Sequence, residues 1–165
     1  MLSECTMASP VGELTLVASE QGLRAVLWAE ERAGRVKLPE RRDDPAHAIL
    51  AEAIRQLSQY FAGERHVFDL PLDPVGTAFQ KVVWTGLNAI PYGETRSYAA
   101  LATAIGRPGA SRAVGAANGR NPLSIVTPCH RVIGTNGTLT GFAGGLAVKR
   151  WLLAHERGEP TLALA

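Results

Sequence analysis

The chain has 165 residues, 46% of them hydrophobic, which suits one ordinary domain or two small lobes that share a core. No apolar run approaches the roughly 18 residues that span a bilayer, and no signal peptide is visible, so we expect a cytoplasmic protein with access to the nucleoid of a bacterium. The net charge of +2 is unevenly divided: residues 1–91 carry nine Lys/Arg and twelve Asp/Glu, whereas residues 92–165 carry eight Lys/Arg and three Asp/Glu. The basic part suits a polyanion, although an ordinary solvated surface explains this charge equally well.

The N-terminal part begins with the pattern of a β-hairpin. Residues 14–17 and 23–28 are apolar runs typical of strands, and they are separated by a short segment that contains Gly22. Residues 29–44 are charged and interrupted by a glycine and a proline, so we predict a loop there.

A helix follows this loop. Residues 45–61 carry apolar side chains at helical spacing, and Gly63 supplies a stop signal. The apolar face consists of Leu50, Ile54, Leu57 and Phe61. Prolines and a glycine in residues 71–76 then indicate a boundary. We therefore predict an N-terminal α/β domain over residues 1–76 and a C-terminal domain over residues 77–165.

The C-terminal part is predicted to be mostly helical. Together with the strands and helix of the N-terminal part, this makes the predicted fold class α/β. Thr77 and Gln80 have the spacing of a capping box at the start of a helix. A second helix is predicted from a cap at Ser97 through Ile105, and a third over residues 110–118, with a glycine-containing turn between them. Two short helices around such a turn have the outline of a helix-turn-helix, a motif that many helical hairpins share.

The chain has two cysteines, Cys5 and Cys129, which form no disulfide framework and no zinc-binding spacing. Cys129 precedes His130 and Arg131, whose cationic character would lower the pKa of the thiol and favour the nucleophilic thiolate. Neighbouring side chains often point apart, so a bridging water would relay the proton to the histidine. A carboxylate usually orients such a histidine. The carboxylates in the basic part are Glu94, Glu156 and Glu159.

The segment around this cysteine has a specific sequence. Residues 121–134, Asn-Pro-Leu-Ser-Ile-Val-Thr-Pro-Cys-His-Arg-Val-Ile-Gly, resemble the active-site segment of the O6-alkylguanine-DNA alkyltransferases, also called methylated-DNA–protein-cysteine methyltransferases. Four further stretches resemble the same family in order and spacing. They are residues 77–84, 90–95, 113–119 and 144–156.

The resemblance implies a DNA-repair protein that transfers a methyl or other alkyl group from O6-alkylguanine, and from O4-alkylthymine, to Cys129. The product thioether has no good leaving group, so each molecule would react once, and no cofactor is needed. The implied partner is double-stranded DNA containing alkylated guanine, contacted through the minor groove by a monomer. An alkylated guanine hides its O6 inside the stack, so the nucleotide must be flipped out.

The resemblance also implies catalytic roles for five residues. Cys129 accepts the alkyl group, and His130 acts as its base through a water. Glu156 orients the histidine, and Asn121 braces the turn that holds the cysteine. Tyr98 hydrogen-bonds or protonates the departing guanine.

Further residues are implied to contact the base or the duplex. The backbone carbonyls of Cys129 and Val132 accept from the exocyclic amine, and the N–H of Ala143 reaches O6. Phe142 walls the pocket in place of a tyrosine found in many relatives, so the hydroxyl contact is lost. Arg112 enters the duplex where the base has left. The remaining residues implied at the DNA surface are Ser111, Ala113, Gly115 and Asn118.

Two other classes of protein stay open from the residues alone. A module that recognises lesions without chemistry would not need Cys129, and a cysteine hydrolase with a Cys-His-Glu set would turn over repeatedly. Some relatives bind a structural zinc near the N-terminus through two cysteines and two histidines. Cys5 stands alone there, so we expect no metal.

Overall fold

Four strands near the N-terminus form one sheet in a computed structural model that describes residues 1–164. The strands are β1 (Leu2–Met7), β2 (Leu14–Ala18), β3 (Leu23–Leu27) and β4 (Arg41–Asp43). Their order in the sheet is β3-β2-β1-β4, with β1–β2 and β2–β3 antiparallel and β1–β4 parallel. The predicted hairpin is confirmed as β2 and β3.

Two features of the sheet differ from the sequence prediction. The first strand was not predicted, and residues 29–44 are not a loop throughout, because residues 41–43 form the edge strand β4. This edge strand is highly charged and short, so its own sequence carries no apolar alternation. An ion pair between Arg41 Nε and Glu4 Oε2, at 2.7 Å, joins it to β1.

Helix α1 (Ala48–Phe61) packs its apolar face against the sheet. The helix starts three residues later than predicted, because His47 is its N-cap and accepts from the backbone N–H of Ile49. Leu50 and Leu57 are fully buried, and the predicted apolar face is therefore confirmed. Each fully buried leucine contributes about 2 kcal/mol of transfer free energy.

The C-terminal part is mostly helical, as predicted. Its elements are α2 (Ala78–Asn88), β5 (Arg96–Ser97), α3 (Tyr98–Ala104), α4 (Ser111–Gly119), a 3-10 turn (Cys129–Arg131), β6 (Val132–Ile133) and α5 (Leu146–Glu156). The capping box at α2 is confirmed: Thr77 accepts from the N–H of Gln80, whose side chain accepts from the N–H of Thr77. Ser97 caps α3, and α3 and α4 pack together as the predicted pair of short helices.

The two parts of the chain share one hydrophobic core. Leu123, Ile125 and Leu152 are buried in the same cluster as the sheet and α1. The outer edge of β3 also hydrogen-bonds to the segment that follows α4, because the N–H of Val26 donates to the carbonyl of Pro122 at 2.8 Å. The segment that leads to Cys129 is therefore anchored on the N-terminal sheet. Among residues 1–164, the helices are all too short or too polar to cross a membrane.

Candidate active site

The turn before Cys129 is buried and tightly braced. Residues 121–130 are all buried, and Ile125 has a φ of 72°, a left-handed conformation that a β-branched residue rarely adopts. Asn121 bridges the turn: its Nδ2 donates to the carbonyl of Thr127 at 2.8 Å, and its Oδ1 accepts from the N–H of Leu123 at 3.0 Å. The side chain of Asn121 thus holds a strained backbone in place.

Cys129 begins the 3-10 turn and is 4% exposed. Burial raises the pKa of its thiol, against smaller lowering effects from Asn121, Arg35 and Lys149. The expectation that Arg131 and His130 lower this pKa was therefore wrong in direction. Desolvation of the thiolate outweighs the neighbouring positive charge.

The positive charge of Arg131 is paired with the carboxylate of Glu156. Arg131 Nε donates to Glu156 Oε1 at 2.8 Å, and its Nη2 donates to Oε2 at 3.1 Å. His130 Nε2 lies 2.7 Å from Oε2, and the hydroxyl of Tyr60, on α1, donates to the same oxygen at 2.7 Å. The structure thus brings together His130 and Glu156, as the resemblance implies. The other carboxylates in this part of the chain, Glu94 and Glu159, pair with arginines at the surface.

The contacts fix the protonation of this buried group. Burial would raise the pKa of Glu156, but the bonds from His130 and Arg131 outweigh it and hold the pKa well below the usual range. Burial lowers the pKa of His130, against the raising effect of Glu156, so the imidazole is neutral at pH 7. An ionised carboxylate requires a donor, so Nε2 carries the proton and Nδ1 is the basic nitrogen. Nδ1 is buried and has no hydrogen-bond partner among the described residues.

Lys149, on α5, is a site residue that the sequence analysis did not identify. It is fully buried, and its Nζ donates to the carbonyl of Val132 at 2.6 Å. Burial lowers the pKa of Lys149, while the nearby Cys129 raises it. The spacing of Lys149 and Glu156, seven residues apart on one helix, was an available signal, since it places both on one face. The contact of Tyr60 had no such signal, because nearly a hundred residues separate it from Glu156.

The two carbonyls implied to read the guanine amine already have donors. The carbonyl of Val132 accepts from Lys149, and that of Cys129 accepts from the N–H of Val132 and, at 3.5 Å, from Asn118 Nδ2. Each carbonyl oxygen has two lone pairs, so a further donor fits at Val132.

A loop between β6 and α5 forms the side of the site. The hydroxyls of Tyr98 and Thr140 lie 2.6 Å apart, and the ring of Tyr98 would lie 3.7 Å from a Cβ placed on Gly115 of α4. Tyr98 therefore links α4 to this loop. Further along, the ring of Phe142 meets the indole of Trp28 edge-on, with 5.5 Å between centroids.

The residues implied at the DNA surface lie on the exposed side of α4. Arg112 and Ala113 are exposed, and Ser111 and Gly115 are half-buried. Asn118 instead faces inward to Cys129. Ala143 is half-buried in the loop before α5.

The arrangement combines a buried thiol, a neutral imidazole with one unprotonated nitrogen, and a carboxylate that fixes that tautomer. Such a set can ionise the thiol by general-base transfer and make it a nucleophile. Among the described residues, no group of three His, Cys, Asp or Glu side chains could hold a metal ion.

Comparisons with known proteins match this description over most of the chain. Residues 3–74 match the ribonuclease-like domain of 6-O-methylguanine DNA methyltransferase, and residues 78–158 match the DNA-binding domain of the same class. The methylated-DNA–protein-cysteine methyltransferase of Methanosarcina acetivorans is 50% identical over 90% of this chain and 94% of its own length. That of Mycolicibacterium paratuberculosis is 48% identical over 95% and 93%.

The fold matches as well. The crystal structure of Mycobacterium tuberculosis OGT in complex with DNA superposes with a TM-score of 0.87, at 47% identity, over 96% of each chain. The site and fold thus define a DNA-binding transferase with a cysteine in its centre. The chain belongs to the methylated-DNA–protein-cysteine methyltransferase family of DNA-repair proteins.

Proposed function

We propose that this protein repairs DNA by moving an alkyl group from O6-alkylguanine, or from O4-alkylthymine, to Cys129 in a single irreversible turnover. The observation that carries the proposal is the neutral His130, held by Glu156 beside a buried thiol. The family membership of the chain supports the same chemistry.

In the proposed reaction, the thiol proton passes through a water to His130 Nδ1. The Cys129 sulfur then attacks the alkyl carbon, a carbon–sulfur bond forms, and the carbon–O6 bond breaks with its electron pair moving to the guanine. Tyr98 donates a hydrogen bond or a proton to the departing ring. Asn121 holds the turn so that the sulfur stays in line. No cofactor takes part.

The base is placed by the groups around the cysteine. The carbonyl of Val132, which has room for a second donor, accepts from the exocyclic amine, the N–H of Ala143 reaches O6, and Phe142 forms a wall of the pocket. Lys149 stabilises the thiolate, since its buried ammonium lowers the pKa of Cys129 and the thiolate raises the pKa of Lys149 in return.

We further propose that the protein acts as a monomer in the cytoplasm on the minor groove of duplex DNA. Residues 77–165 would carry DNA binding and the acceptor cysteine, and residues 1–76 would support them. The exposed small residues of α4 suit a narrow groove, and Arg112 would fill the space left by the flipped base. Ser111, Ala113 and Gly115 complete the helix at this surface, whereas Asn118 is buried and supports the turn at Cys129 from within.

Mass spectrometry of the intact protein tests the proposal. After incubation with duplex DNA containing O6-methylguanine, we expect one added methyl group, located on Cys129. Cys129→Ser should lose transfer while keeping duplex affinity, and Cys5→Ser should react normally, because Cys5 is buried in β1 away from the site. Methyl transfer by Cys129→Ser would contradict the mechanism, and repeated turnover on an ester would favour the hydrolase alternative.

A further inference from the structure

A cavity of about 540 Å³ lies between the N-terminal loop and the start of α2, apart from the cysteine. Its cationic side chains are Arg24, Arg35, Lys37 and Arg120. Arg120 follows directly after α4, so the cavity adjoins the predicted recognition helix. None of these four side chains takes part in a proposed alkyl-transfer step, although the charge of Arg35 lowers the pKa of Cys129.

Two of the arginines have unsatisfied donors. Arg35 is 5% exposed and donates to the carbonyls of Gly119 and Asn121 at 3.2 and 2.8 Å, but its buried Nη2 has no hydrogen-bond partner in the described part of the chain. Arg24 binds Asp73 through Nη2, and its buried Nε likewise has no partner among residues 1–164. Buried donors nearly always have an acceptor, so two unpaired guanidinium nitrogens at one cavity, Arg35 Nη2 and Arg24 Nε, indicate a missing acceptor.

The charge of the cavity indicates an anion. Glu31 and Asp73 each neutralise one arginine. Lys37 and Arg120 are exposed and form no ion pair within the described residues, so two positive charges remain unbalanced. The cavity is also large enough for more than one phosphate-sized group.

We propose that this cavity, defined by Arg24, Arg35, Lys37 and Arg120, binds a phosphate-bearing anion. Guanidinium groups recognise phosphate oxygens through paired N–H donors, and lysine adds a point charge. The phosphate has two sources, a free phosphate compound or the backbone of bound DNA. For the second source, Arg120 lies about 12 Å from Arg112 along the axis of α4, so the phosphate would belong to a nucleotide flanking the lesion. Only this DNA source rests on the proposed function.

Charge reversal at Lys37 tests the site, because this exposed side chain makes no hydrogen bond within the described structure. The matched control is Arg32→Glu, which makes the same charge change in the same loop outside the cavity. The first measurement is a titration with inorganic pyrophosphate, followed by amide NMR of the full chain. If the source is free phosphate, shifts should centre on residues 34–38 and 76–80, and Lys37→Glu should weaken binding at least tenfold relative to Arg32→Glu.

The second measurement is duplex affinity as a function of salt. If the source is a DNA phosphate, Lys37→Glu should weaken duplex binding more than the control does and reduce the salt slope by about one unit. The free base O6-benzylguanine has no phosphate, so alkyl transfer from it reports the fold and the reaction independently of phosphate binding. A loss of either pyrophosphate or duplex affinity specific to Lys37→Glu supports the site. If Lys37→Glu matches Arg32→Glu in both measurements, the proposal is overturned, whatever the outcome for methyl transfer.

Discussion

Glu156 is the residue on which most contacts of the site converge. It accepts from His130, from two nitrogens of Arg131 and from Tyr60, and it comes within 3.4 Å of the N–H of Gly93. A buried carboxylate is tolerated only when its oxygens are satisfied in this way. Its role in stabilising the fold is therefore inseparable from its role in orienting the imidazole.

Tyr98→Phe should slow alkyl transfer roughly tenfold to hundredfold while duplex affinity changes little, because a proton or hydrogen bond to the leaving group strengthens in the transition state. Single-turnover kinetics at saturating DNA measures the effect. Thr140→Val is the matched control, since it removes the partner of the tyrosine hydroxyl and leaves that hydroxyl in place. If both variants are slowed equally, the hydroxyl acts by holding the loop, and its contact with guanine is refuted.

Helix α4 presents Arg112 exposed on its first turn, with no side-chain hydrogen bond or ion pair among the described residues. Base flipping costs a few kcal/mol of stacking and pairing, part of which a guanidinium plane can replace. Arg112→Ala should therefore slow repair of duplex DNA at least tenfold, with Arg112→Lys intermediate. Reaction with the free base O6-alkylguanine should be unchanged, because that substrate needs no flipping.

The comparison between substrates decides this prediction. Arg157→Ala, which removes an exposed arginine at the end of α5, controls for lost charge. An equal fall of both rates in Arg112→Ala would mean that Arg112 supports the fold. No fall in either rate would mean that another residue of α4 opens the duplex.

The loop before α5 depends on a glycine. A Cβ at Gly144 would lie 2.8 Å from the indole of Trp28, which is itself buried. Gly144→Ala should thus displace the wall formed by Phe142, lower stability by about 1–3 kcal/mol and slow transfer. Gly141→Ala is the control, because a Cβ there meets nothing within 4 Å.

Thermal unfolding and single-turnover rates measure both effects. Trp28→Leu should partly restore the rate in Gly144→Ala, since a smaller side chain relieves the clash. Strict additivity of the two substitutions would contradict the proposed contact.

At the scale of the whole molecule, local patterns predicted local elements. The hairpin, the apolar face of α1 and the capping box at α2 all follow from neighbouring residues, and the structure confirms them. The strand at residues 41–43 was not predictable, because its pairing with β1 depends on a distant partner. The division of the chain at residue 77 stays a prediction. Leu123 and Leu152 lie in one core with the N-terminal sheet. Limited proteolysis within residues 71–77 would test whether the two parts of the chain are separate domains.

In the candidate site, too, some features were predictable from the sequence and others were not. Cys129 and His130 were predicted from a specific string of residues, the family resemblance implied the role of Glu156, and the structure brings His130 and Glu156 together. The raised pKa of Cys129 and the buried Lys149 were missed, because burial is a property of the folded chain. A charge count along the sequence cannot weigh desolvation against attraction.

The contacts of Glu156 also predict how stability depends on pH. The folded pKa of Glu156 lies below its unfolded value of about 4.3, so its contribution is fully present above that pH and is lost as the pH falls through and below it. The folded pKa of His130 lies below about 6.5, so the unfolded chain binds the extra proton first, and stability already begins to fall below that pH. Glu52, whose pKa its bonds to Arg55 and Gln56 lower to about 2, titrates in the same acid range, so wild-type unfolding alone does not isolate Glu156.

Tyr60→Phe isolates the buried carboxylate, because it removes one donor to Glu156 and leaves Glu52 unchanged. At pH 7 we expect a loss of about 1–3 kcal/mol in the free energy of unfolding. The loss should stay constant from pH 7 to pH 4, because the folded pKa of Glu156 lies well below this range and the carboxylate stays ionised and bonded to the hydroxyl. Tyr92→Phe is the control, because its hydroxyl makes no hydrogen bond in the described part of the chain while its ring stays stacked on His66. Urea unfolding at pH 7, 5.5 and 4 measures the difference, and a Tyr60→Phe deficit that shrinks over this range would show that the folded carboxyl is not held ionised by its contacts.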